Sequence, residues 1–147
     1  MTTPLIPVPK LGKHHLSLNS GILIIEVNGV VSLEEAERLM DYIHRCDMTE
    51  PNLGMLVLAK DEFSVTPEAR RFLVKSSRPE RPPVPMAVVG TGVLVRAVLT
   101  LLINAIRITM RMDVPMSFFS TEALARAWLT EQLVHRTTLL AKNTGRS

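Results

Sequence analysis

PMAVVGTGVLVRAVLTLLINAIRITMRMDVPMSFF, residues 85–119, is the stretch that decides the fold. It opens on a short apolar run, 85–89, bounded by proline and by Gly90-Thr91-Gly92. Turn residues at both ends and a length of about five favour a buried strand. The next stretch, about 93–111, is too long for a strand and reads as a helix. Residues 115–119 then give a second short apolar strand. A strand, a helix and another strand joined in this way pair in parallel through a right-handed crossover.

The same alternation extends outward. Ser120-Thr121 caps a closing helix that runs to about residue 134, with Leu124, Ala127 and Trp128 expected inward. Upstream, Gly54-Met-Leu-Val-Leu58 is another short apolar strand. Thr66-Pro67 is a side-chain cap followed by proline at the first helical position. That helix turns Ala69, Phe72 and Leu73 inward. Ser32-Leu-Glu-Glu35 has the spacing of a capping box and opens a helix to about Cys46. Leu33, Ala36, Met40 and Ile43 lie on one of its faces. Residues 14–19 and 22–28 flank Asn19-Ser20-Gly21 and read as a hairpin. The order is therefore ββαβαβαβα, an α/β chain with a mixed, mostly parallel sheet. Apolar rather than alternating later strands call for helices on the sheet.

The chain has 147 residues, 46% apolar and 21% charged. That suits a single domain with one core. The expected division is a tail at 1–13, a domain at 14–135 and a basic tail at 136–147. Pro4, Pro7 and Pro9 oppose regular pairing in the first tail. With Cys46 the sole cysteine, an intramolecular disulfide and a four-cysteine zinc site are excluded. A free thiol and the lack of a secretory pattern suit the cytoplasm.

The helix at 93–108 is apolar nearly all round. Arg96, Asn104 and Arg107 interrupt it, and a charge near a bilayer centre costs several kcal/mol, so it does not read as a span. Val93, Ala97, Leu101 and Ile108 fall on a different face from Leu94, Val98, Leu102 and Ile106. One face covers the sheet. The other needs a cover: a second copy, a ligand or a membrane surface.

Charge divides along the chain. Residues 26–62 hold nine acids and three bases (net −6), and residues 63–147 hold five acids and twelve bases (net +7). Such asymmetry steers association. Arg70, Arg71, Lys75, Arg78 and Arg81 form the best basic partner surface. Four Phe, one Tyr and one Trp supply stacking poorly, so no nucleic acid is expected. The histidines have no ligand spacing. His14 and His15 sit at the tail edge and His44 on the polar side of its helix, so no metal is expected. Gly90-Thr91-Gly92 lacks the third glycine of a dinucleotide turn, with Val95 in its place, so no cofactor is expected.

EARRFL at 68–73, MAVVGTGVLVRAV at 86–98, Asn104, and VPMSFFSTEALARAWL at 114–129 together resemble the bacterial SpoIIAA-like proteins, the STAS/SEC14-domain group. The likeness spans about residues 15–133. It implies a STAS-like fold and no enzymatic activity. It implies a regulatory or scaffolding module that acts by binding a protein partner. The SEC14 part of the label implies an alternative, a binding module for a lipid or other small apolar ligand. The family's phosphoacceptor turn corresponds to residues 61–68. The Asp-Ser-Ser-Gly signature is missing there, leaving Ser64 and Thr66 as the candidate phosphoacceptors. Ser64, Thr66, Arg70, Arg71 and Arg96 are the expected partner-binding residues, and no catalytic residue is expected.

Overall fold

The structure is a computed structural model and describes residues 11–60, 63–77, 82–90 and 92–144. Its elements are β1 (His15–Asn19), β2 (Ile22–Val27), β3 (Val30–Val31), α1 (Leu33–Thr49), β4 (Gly54–Ala59) and β5 (Ser64–Val65). Then come α2 (Pro67–Lys75), β6 (Met86–Val89), α3 (Val93–Met110), β7 (Met116–Phe119) and α4 (Glu122–Thr144).

Five strands make one sheet in the order β1-β2-β4-β6-β7. β1 is antiparallel to β2, and every other neighbour is parallel. This is the mixed, mostly parallel α/β sheet the sequence implies. Ser20 and Gly21 both take positive φ, 52° and 79°, which fits a tight two-residue hairpin turn. The strands β3 and β5 escape a sequence reading because two residues have no period. They pair in parallel as a small separate sheet, Val30 beside Ser64 and Val31 beside Val65.

Local chemistry starts the helices as expected. The Ser32 hydroxyl accepts the Glu35 N–H at 3.3 Å, and the Glu35 carboxylate accepts the Ser32 N–H at 3.0 Å. The Thr66 hydroxyl accepts the Ala69 N–H at 3.1 Å.

The sheet is covered unequally. α4 alone lies on one face, where Ala125 and Leu129 pack on Leu56 and Ala87, all four with no exposed surface. Its phase differs from expectation. Leu124 is exposed, Ala127 is exposed and Trp128 is half-buried, so Ala125 and Leu129 carry the contact. On the other face lie α1, α2 and α3, which share the larger core with Ile25, Val57 and Val88. Leu33 of α1 is exposed rather than inward.

Two polar anchors correct the expected tails. α4 does not stop near residue 134 but continues to Thr144. Arg136, placed in the basic tail by sequence, is 2% exposed. Its guanidinium donates to Asp47 at 2.8 Å, Asn52 at 3.2 Å and the Pro82 carbonyl at 2.9 Å. It ties α4 to the end of α1 and to the loop before β6. At the other end, residues 1–10 of the expected first tail lie outside the described residues. Leu11 is buried and so is His14, which sequence placed at the tail edge. His14 Nδ1 accepts the Asn28 N–H at 3.0 Å, and Nε2 donates to the Val30 carbonyl at 3.1 Å and to Glu35 at 3.3 Å.

Burial alone would raise the Glu35 carboxyl. Bonds to Ser32 and the nearness of His14 outweigh it and hold the group below the usual carboxylate value. A depressed carboxylate adds stability above the unfolded-state value, and that stability is lost as pH falls through the folded one. The stability difference between wild type and Glu35→Gln should therefore be largest near neutral pH and shrink on acidification below the carboxylate range, measured by urea unfolding. Arg136→Ala removes the guanidinium from a largely buried ion pair with Asp47. It should cost about 3–5 kcal/mol in the same measurement, whereas Asp47→Leu with Arg136→Met should cost far less.

Candidate functional site

A cavity of about 190 Å³ lies between the sheet and the three helices on its broader face. The helices over it differ in length. α2 has nine residues, about 14 Å of helix, whereas α1 and α3 have 17 and 18, about 26 and 27 Å. α2 packs against both α1 and α3.

Each wall follows from its element. Ile25, Val57 and Met86 rise from β2, β4 and β6 as the floor, alternate residues pointing to one face. Met40 and Ile43, three apart on α1, form one side. Leu99, Leu102, Ile103 and Ile106 of α3 form the other. Phe63 and Leu73 close the α2 end, and Pro82 to Val84 with Met112 and Val114 complete the rim. Four of the eight methionines line it: Met40, Met55, Met86 and Met112. Unbranched thioether chains re-pack easily, which suits a pocket that takes more than one shape of guest.

The polar side chains on the lining are His44, Asp47 and Ser77. His44 thus borders the cavity, rather than only the polar side of its helix. Asp47 is held by Arg136, and the Ser77 hydroxyl donates to the Leu73 carbonyl at 3.1 Å. Nearby, Cys46 and Tyr42 are buried within α1. Burial pushes the Cys46 thiol up, so it stays protonated. Burial, with Cys46 beside it, pushes the Tyr42 phenol up to about 12.

The sequence-derived partner residues fall elsewhere, around the start of α2. Ser64 is in β5, half-buried, and its N–H donates to the Gly29 carbonyl at 3.2 Å. Thr66 serves as the α2 cap. Arg70 is half-buried and Arg71 exposed. Arg96, on α3, lies over the Phe118 ring, 5.1 Å from its centroid. Asp61, Glu62, Arg78 and Arg81 lie outside the described residues. At the Gly90 turn, φ is +77° and a Cβ would stand 3.3 Å from the Ala59 carbonyl oxygen. That glycine is required by the path of the backbone, whatever else the turn does. Among the described residues no group of three or more His, Cys, Asp or Glu is placed to hold a metal ion.

The cavity was the part of the site that sequence did not locate. Its signals were indirect: an excess of methionine and a helix apolar on every side.

No family model matches this chain, and no curated protein matches it. Among solved structures, the chain is similar to the crystal structure of an uncharacterised protein of the DUF3478 family from Shewanella loihica PV-4, described as having a SpoIIAA-like fold. The two superpose with a TM-score of 0.55 at 15% identity, over 79% of this chain and 91% of that one. The chain has a SpoIIAA-like fold.

Proposed function

We propose that this chain is a non-catalytic binding module that takes a small apolar molecule, or a segment of an acyl chain, into the cavity between its sheet and α1–α3. The supporting observation is the cavity itself, about 190 Å³ and lined almost wholly by aliphatic and methionine side chains. Space of this kind, with few polar partners for water, favours an apolar guest; an engineered cavity of roughly 150 Å³ in another protein stays dry and admits benzene. The polar side chains His44, Asp47 and Ser77 can orient a polar end of the guest. The regulatory role implied by the resemblance would then be exercised through ligand occupancy, since the Thr66 hydroxyl already serves the α2 cap.

Two measurements test this reading. Organic extraction of purified protein, followed by mass spectrometry, should release an apolar molecule. Titration of the extracted protein with decanoate should raise its thermal midpoint. Saturation at 100 times the dissociation constant adds about 2.7 kcal/mol, roughly 5–11 °C for a domain of this size. Leu102→Phe, which fills the cavity from α3, should remove the response while changing stability by about 1–3 kcal/mol. A flat response in well-folded wild type with nothing extracted overturns the proposal.

A further inference from the structure

The outer face of α3 is independent of the cavity. Val93 and Leu94 are 84% and 78% exposed, and Leu101 and Ile108 are 61% and 78% exposed. With exposed Ala97, at about 100° per residue these positions share one arc of about 100°. That arc is opposite Val95, Leu99, Leu102 and Ile106, which α3 buries. Leu94 thus joins the stripe of Val93, Ala97, Leu101 and Ile108 rather than the face of Val98, Leu102 and Ile106 with which sequence grouped it. Half-buried Asn104 falls within this arc, between Val93 and Ala97, as its one polar side chain on α3. By length and composition α3 could cross a membrane, yet its inner face is part of the core.

The charges on α3 itself have one sign. α3 contains Arg96 and Arg107, is followed by Arg111, and contains no acid. Arg107 pairs with Asp113 at 3.5 Å, both well exposed. α2, packed beside α3, adds exposed Arg71 and Lys75 against exposed Glu68. The acids of the domain gather instead on α1, at Glu34, Glu37 and Asp41.

We infer that the outer face of α3 lies on an anionic lipid surface, with Val93, Leu94, Leu101 and Ile108 in the headgroup–acyl boundary and the arginines on lipid phosphates. An exposed apolar stripe on a helix whose own charges are all cationic has the chemistry of an interfacial helix. A second copy fits worse. Packed antiparallel about Leu101, it would bring the Arg96 and Arg107 flank of one helix against the same flank of the other.

The test is co-sedimentation of the full chain with vesicles of phosphatidylcholine mixed with phosphatidylserine, and with vesicles of phosphatidylcholine alone. Binding should require phosphatidylserine and weaken with salt. Leu101→Gln with Ile108→Gln should abolish it without lowering the thermal midpoint. Arg96→Gln and Arg107→Gln should each weaken it about fivefold. Three results overturn the inference. One is no sedimentation with either vesicle, and another is equal binding to both. The third is a dimer in analytical ultracentrifugation that Leu101→Gln dissociates. Extracted, ligand-free protein should behave alike, which separates this test from the fate of the cavity reading.

Discussion

Everything in this fold answers to one requirement: β4 and β6, parallel and central, must be dry on both faces. Leu56, Ala87 and Val88 have no exposed surface. Parallel strands are stable only when covered in this way. On one face the requirement is met by direct contact, with Ala125 and Leu129 of α4 against Leu56 and Ala87. On the other it falls to three helices of unequal length. Between those helices and the sheet lies the cavity. Arg136 fixes this arrangement from behind, since Asp47 and Pro82, which it binds, both belong to the cavity lining.

Much of this was written locally in the sequence. The capping box at Ser32, the Thr66-Pro67 start and the Asn19-Ser20-Gly21 turn involve groups a few residues apart, so their chemistry is visible in a short window. Strand and helix alternation implied the mixed, mostly parallel character of the sheet but not the order of its strands. What failed was phase and distance. On α4 a shift of one residue, from Leu124 to Ala125, moved the buried face by about 100°. The pattern misled because the large residue there is exposed and the small one is buried. His14 and Arg136 read as tail residues because their partners lie 14 to 21 and 54 to 89 positions away. A buried charge is unlikely on composition alone and becomes stable only with those partners in place.

The site itself was half legible. An over-apolar α3 was evident, as was the need for something on its second face. A cavity is a matter of packing between distant elements, and no residue spells it. α3 joins the two features. Leu102, Ile103 and Ile106 wall the cavity, while Val93, Leu94, Leu101 and Ile108 face outward. Charge is split between an acidic α1 and basic α2 and α3, which gives the helical face of the domain an electrostatic polarity.

The claim that matters most is that the space between the sheet and α1–α3 is apolar and open to a guest. A crystal structure determined under xenon pressure probes it most directly, because xenon enters dry apolar cavities without needing a hydrogen bond. The account predicts xenon between Met40, Val57 and Leu102. Ordered water bridging His44, Asp47 and Ser77 and filling the space, with no xenon, would contradict it.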